Sequence, residues 1–224
     1  MSTPSLPRRR LLQGVAASGA ATFLAGCGSS RQVRPAALPP APASGILVVI
    51  IRHAEKPPGS GAPQGIDADG NPDPHSLTVR GWTRAGALVE LFAPGSGGIR
   101  PGLARPSAIY AAGGTGGEGQ RPRETVTPLA ARLGVTVTTT YAKGGEPALA
   151  AELAHRPGAT LVSWQHEEIP ALLAAFGAVS PAPPATWPDN RFDLVWVLAP
   201  AAHGWSFTQV PQLLLDGDSA DTIT

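Results

Sequence analysis

Three short segments of this chain hold residues able to act on an anionic group. Arg52 and His53 follow an apolar run at residues 46–51. Arg121 lies just past a glycine-rich stretch at 113–120, and His166 and Glu167 come after an apolar run that ends at Trp164. A guanidinium presents planar, paired N–H donors that match phosphate oxygens. An imidazole serves as nucleophile, proton carrier or donor according to which nitrogen holds the proton. Two arginines and two histidines gathered at one place would therefore suit a phosphate dianion. Taken singly, each reads as an ordinary loop residue, so the weight falls on whether the fold gathers them.

Hydrophobic patterning supplies elements that could do so. ILVVII at 46–51 is a continuous, mostly β-branched run, as expected of a strand buried on both faces. A long loop rich in Pro, Gly and Asp follows at 56–76. Leu77, Ala85, Leu88, Val89 and Phe92 form an apolar stripe near helical spacing, which predicts a helix over 78–92 with Thr78 as its cap. SAIYAA at 107–112 predicts a second strand, 123–133 a helix stopped by Gly134, 135–141 a strand and 147–155 a helix. Residues 159–164 predict another buried strand and 168–176 a helix; 192–199 and 205–210 predict two closing strands, paired through 201–204. This alternation predicts an α/β fold, a three-layer α/β/α sandwich about a mostly parallel central sheet. Ligands of such sheets bind beyond the carboxyl ends of the strands, and Arg52, His53, Arg121 and His166 all fall there.

The same residues carry a resemblance. Arg52-His53-Ala54-Glu55-Lys56 resembles the Arg-His-Gly motif of the histidine phosphatase superfamily, whose fold is phosphoglycerate mutase-like, with Ala54 in place of glycine. Leu77-Thr78-x-x-Gly81-x-x-Arg84-Ala85 is similar to the segment opening that family's first helix. Arg121-x-x-Glu124-Thr125 is similar to its second arginine motif, and Val162-Ser163-Trp164-Gln165-His166 to the strand that delivers its second histidine. These pieces stand in the family's order and span most of 46–176.

The resemblance implies a metal-independent phosphoric monoester hydrolase with no cofactor. His53 would attack phosphorus and become phosphohistidine, while Arg52, Arg121 and His166 bind the substrate's phosphate oxygens. The attacking nitrogen must be unprotonated, so the other ring nitrogen should donate to a backbone carbonyl. Glu167, Glu146 and Glu118 are the candidates for the acid that protonates the leaving group, with Glu167 favoured because it directly follows the second histidine. The serine common before the family's second arginine is missing from 113–120, and the longer, glycine-rich loop there implies a looser hold on Arg121. No large cap is inserted, so a small phosphorylated molecule or a phosphorylated side chain is the expected substrate. A phosphoglycerate mutase-type phosphotransferase is one rival reading. A non-catalytic phosphate-binding protein, which needs Arg52, Arg121 and His166 but no nucleophile, is the other.

Composition narrows the classes further. A formal net charge of +1 over 224 residues offers no basic field for nucleic acid. A single cysteine, Cys27, excludes an intrachain disulfide framework and a CxxC metal site. His75, His155 and His203 lie outside any ligand spacing and read as ordinary polar residues, so no metal site is expected. Asp67-Ala68-Asp69-Gly70-Asn71-Pro72-Asp73 resembles the start of a calcium loop, but Thr78 stands where glutamate would be needed, which predicts an Asx-rich turn instead. Glu55 is expected to pair with a nearby arginine, and Trp164, Trp187, Trp196 and Trp205 to pack core or strand faces.

The first 44 residues read as an address and a tether. Arg8, Arg9 and Arg10 precede an uncharged apolar stretch at 11–25, the pattern of an export signal. The stretch is shorter than the roughly 20 residues of a membrane-spanning helix. The arginine run resembles a twin-arginine signal, and Leu24-Ala25-Gly26-Cys27 resembles a bacterial lipobox. These features predict an export signal at 1–26, lipidation of Cys27, a Pro/Ala-rich tether at 27–44 and a catalytic domain at 45–224. The lipid would hold that domain on the extracytoplasmic side of a membrane.

Overall fold

The apolar run at 46–51 becomes β1 (Ile46–Arg52), an interior strand of a seven-stranded sheet. The computed structural model describes residues 45–224, so the signal, lipobox and tether expected at 1–44 lie outside the described residues. The remaining elements are α1 (Val79–Phe92), β2 (Ala108–Ala111), α2 (Gln120–Leu133), β3 (Val137–Thr138), α3 (Glu146–Leu153), β4 (Gly158–Trp164), α4 (Ile169–Ala174), β5 (Val179–Ser180), β6 (Leu194–Ala201) and β7 (Gly204–Pro211).

The strand order is β3-β2-β4-β1-β6-β7-β5. Strands β3, β2, β4 and β1 run parallel, β6 is antiparallel to both β1 and β7, and β5 adds to β7 in parallel. Alternation along β1 shows why both faces must be covered. Val48 and Ile50 pack into a core with Leu149 and Leu153 of α3 and Leu172 of α4. Val49 and Ile51 pack into a second core with Leu88 and Phe92 of α1 and Val126 and Leu129 of α2. The result is the expected three-layer α/β/α sandwich about a mostly parallel sheet.

Two elements differ from the expectation. Only two residues of the 135–141 run pair as β3, because the run sits at the sheet edge and its threonines at 139 and 140 face solvent. Strand β5, also two residues long and also at an edge, is too short to leave a hydrophobic pattern. The reversed direction of β6 matters most for the site. Ile51 lies opposite Val195, so the chain entering β6 reaches the edge where β1 ends. Among the described residues no helix is long and apolar enough to cross a membrane.

Candidate active site

The ladder of β1, β4 and β2 continues past the strand ends and sets the segments that follow side by side. His53 N–H donates to the Trp164 carbonyl at 3.0 Å, and Ala112 N–H to the Ser163 carbonyl at 3.1 Å. The turn after His53 is then pinned from two helices. Ala54 N–H donates to Thr125 Oγ1 at 2.8 Å, and that hydroxyl donates to the Arg121 carbonyl at 2.7 Å, so α2 holds the His53 turn and carries Arg121 at once. From α1, Thr78 N–H and the Thr78 hydroxyl both donate to the Glu55 carbonyl, at 2.9 and 3.2 Å. Position 81 must be glycine for the same packing: a Cβ there would lie 2.5 Å from the Glu55 carbonyl oxygen.

Beneath this turn the Glu55 carboxylate receives Arg84 Nη2 at 2.8 Å and Arg80 Nε at 3.1 Å, the arginine pairing the sequence suggested. Arg84 is buried and also binds Asp218, at 2.7 Å. Burial works against the Arg84 charge, but Asp218 and Glu55 more than offset it and raise its pKa. Burial likewise opposes the Asp218 charge. Arg84 and the N–H groups of Leu215 and Leu214 outweigh that and hold its pKa down at about 2.

His53 is buried, at 4% exposure, and its Nδ1 lies 2.8 Å from the Ala54 carbonyl. A carbonyl oxygen only accepts, so Nδ1 carries the proton and Nε2 keeps its lone pair. Burial drives the ring's pKa down to about 3. The bond to Ala54 opposes that shift, and the positive charges of Arg52, Arg121 and Lys56 add to it. At neutral pH the imidazole is uncharged.

Arg52 is 1% exposed. Its Nη1 donates to the carbonyls of Pro188, Asp189 and Arg191 at 3.1, 2.6 and 3.2 Å, and its guanidinium lies 3.8 Å from the centre of the Phe192 ring. Its Nε and Nη2 are buried with no acceptor in the protein. Burial lowers the Arg52 pKa to about 10, which leaves it charged at neutral pH. Arg121 donates from Nη2 to the Pro74 carbonyl at 2.7 Å, while its Nε is buried without an acceptor. Burial lowers its pKa as well. The 73–77 segment behind Pro74 is fixed by Glu124, which accepts from the Ser76 hydroxyl at 2.7 Å and Leu77 N–H at 2.9 Å. Arg121 is therefore held through Pro74, despite the glycine-rich loop that precedes it.

His166 is buried, and its Nε2 is hydrogen-bonded to the Asp189 carboxylate. Glu167 Oε2 comes within 2.9 Å of Nδ1 but out of line for a hydrogen bond, which leaves Nδ1 buried without a partner. Burial and the charge of Arg52 lower the pKa of His166, against the opposing pull of Asp189 and Glu167.

An open cleft of about 420 Å³ is lined by His53, His75, Arg121, Lys143, Gln165 and Glu167 together with the loop at 116–119; Arg52 and His166 lie outside that lining, Arg52 next to His53 in the chain and His166 between Gln165 and Glu167. Glu118 of that loop faces the cleft. Glu146 does not: it is buried, and its Oε1 accepts from the Trp164 indole N–H at 3.0 Å. Of the three acids weighed for the leaving group, Glu167 and Glu118 line the cleft. Among the described residues no group of three or more His, Cys, Asp or Glu side chains is arranged to hold a metal ion.

Several residues here were missed by reading the sequence. Asp189 and Phe192 precede a strand that had no reason to be assigned antiparallel to β1. His75, read as an ordinary polar residue, lines the cleft because Glu124 and Arg121 draw the 73–77 segment onto α2. Lys143 follows the short β3 and pairs with Glu168 at 2.8 Å. The Asx turn was foreseen: Asp67 Oδ1 accepts from the N–H groups of Asp69 and Asn71, at 3.0 and 2.8 Å.

A scan against protein-family models finds no match to this chain, and a search of curated proteins finds none. Among solved structures it is similar to the mycobacterial glucosyl-3-phosphoglycerate phosphatase Rv2419c, solved with VO3, at 16% identity and a TM-score of 0.47. That match covers 73% of this chain and 97% of the other. It is similar to the protein histidine phosphatase SixA complexed with tungstate, at 13% identity and a TM-score of 0.47 over 75% and 97% of the two chains. A protein of Agrobacterium tumefaciens assigned as the phosphohistidine phosphatase SixA is 19% identical, with a TM-score of 0.43 over 73% and 95%. The structural neighbours are thus SixA-like histidine phosphatases and a sugar-phosphoglycerate phosphatase, at values that assign neither activity nor substrate to this chain.

Proposed function

We propose that this chain hydrolyses phosphomonoesters through a phosphohistidine formed on His53. One observation carries the reading: a buried, neutral His53, its Nδ1 proton committed to Ala54, adjoins two arginines whose buried N–H groups have no acceptor in the protein. Buried cationic donors left unpaired are costly, and an anion with several oxygens satisfies them.

In the first step the His53 Nε2 lone pair attacks phosphorus as the bond to the ester oxygen breaks. The departing alkoxide takes a proton from Glu167. In the second step water attacks phosphorus, the P–N bond breaks, the water's proton passes to the Glu167 carboxylate, and orthophosphate leaves. Arg52, Arg121 and His166 hold the non-bridging oxygens through both steps, where positioning and electrostatics supply most of the catalysis. The open cleft suits a small phosphorylated molecule or a phosphorylated side chain, and the named neighbours include phosphatases of both kinds. The proposal is tested by p-nitrophenyl phosphate turnover with a chelator present, in wild type beside His53→Asn. Tight orthophosphate binding without turnover would favour the binding-protein reading.

The address at 1–26 extends the proposal to a lipoprotein that works outside the cytoplasm, tethered through Cys27. Labelling of growing cells with a fatty acid tests this: the wild-type chain takes up the label and Cys27→Ser does not.

A further inference from the structure

We propose that Asp189 is a positioning residue that holds a proton on His166 Nε2 and favours uptake of a second on Nδ1 when a phosphate dianion binds, so that Nδ1–H is presented to that phosphate. This rests on the hydrolase reading above. The Asp189 carboxylate can only accept, so the His166 Nε2 bonded to it carries a proton. The other nitrogen, Nδ1, is buried, has no hydrogen-bond partner and belongs to a residue whose neighbours Gln165 and Glu167 line the cleft. A neutral ring with its proton on Nε2 would turn the Nδ1 lone pair toward phosphate oxygens, which repels them. A doubly protonated ring donates to them instead.

The surroundings of His166 make that cationic form depend on Asp189. Arg52, at the end of β1, opposes a positive ring, as does burial. Glu167 and Asp189 favour it, and Asp189 alone is aligned for a hydrogen bond. Asp189 is held in place from the same site. Its backbone carbonyl accepts from Arg52 Nη1 at 2.6 Å, and its carboxylate feels the charges of His166, Arg52 and Lys56. One residue in the segment entering β6 thus joins the buried arginine to the second histidine, and its side chain remains 89% exposed.

The test is a ¹⁵N NMR titration of the imidazoles of the full-length protein, with and without orthophosphate, for wild type and Asp189→Asn; His166→Gln assigns the signal. In wild type with orthophosphate at neutral pH, both His166 nitrogens should be protonated. In Asp189→Asn the titration midpoint of His166 should fall by about one pH unit or more. Orthophosphate binding should weaken by about tenfold, and the alkaline limb of kcat/KM for p-nitrophenyl phosphate should move down by the same shift as the midpoint. Asp189→Glu should recover part of each. A singly protonated His166 in phosphate-bound wild type, or an unmoved midpoint in Asp189→Asn, overturns the proposal. So does tighter phosphate binding by that variant, which would make Asp189 a competitor for the phosphate. Absence of turnover in wild type would defeat the hydrolase reading, while the titration would still decide the role of Asp189.

Discussion

Replacing His53 by asparagine should remove a definite share of the pH dependence of stability. The ring is buried with a pKa of about 3, against about 6.5 in an unfolded chain. A histidine lowered in this way binds more protons when unfolded, so stability rises with pH between the two values. Its contribution is complete above about 6.5 and is lost as pH falls toward about 3. At pH 5 the unfolded imidazole is protonated about 30 to 1 while the folded ring is almost entirely neutral, which amounts to about 2 kcal/mol relative to neutral pH. That figure barely changes for any folded pKa below about 4. Asparagine can still donate from its amide to the Ala54 carbonyl but does not titrate. In urea unfolding at pH 7 and pH 5, wild type should therefore lose about 2 kcal/mol more than His53→Asn, whatever their difference at pH 7. Equal losses would mean that the folded ring protonates as freely as the unfolded one, and the argument for a neutral nucleophile with a committed Nδ1 proton would fail.

Three further outcomes follow from named contacts. Thr125→Val leaves the buried Ala54 N–H without an acceptor; it should cost about 1–3 kcal/mol in the same unfolding assay and slow turnover by at least about tenfold as the His53 turn loosens. Asp218→Asn strips a partner from buried Arg84 and should cost about 3–5 kcal/mol at neutral pH. Because the Asp218 pKa is depressed, wild type's advantage should be present above about pH 4 and shrink as pH falls through about 2, a trend that unfolding at stepped pH would reveal. Glu167→Gln should slow hydrolysis of an alkyl phosphate by about 10²–10⁴-fold in kcat. It should slow the initial burst of p-nitrophenolate from p-nitrophenyl phosphate far less, since p-nitrophenolate leaves without a proton.

What could be read from the sequence was what local pattern encodes. ILVVII at 46–51 had to be buried on both faces, and that placed Arg52 and His53 at a strand's carboxyl end. Thr78 marked a helix start, whereas the need for glycine at 81 emerges only in the structure, where a Cβ would meet the Glu55 carbonyl. Strand direction was not encoded in this way. The 192–199 run is equally apolar whichever way it points, so its antiparallel pairing with β1, which delivers Asp189 and Phe192 to Arg52 and His166, emerged only in three dimensions. His75 escaped for a related reason. Its position depends on bonds from the Ser76 hydroxyl and the Leu77 backbone N–H to the Glu124 carboxylate, nearly fifty residues away in the chain. The choice among three acids was likewise a matter of packing, since the Trp164 indole N–H occupies Glu146 and leaves Glu167 and Glu118 at the cleft.

Steady-state hydrolysis of p-nitrophenyl phosphate in EDTA, by wild type and His53→Asn side by side, decides whether the phosphoryl group is transferred to His53. Turnover in wild type should survive the chelator and be absent from a folded His53→Asn chain. Turnover retained by that variant, or no turnover by folded wild type from acid to neutral pH, would contradict that transfer.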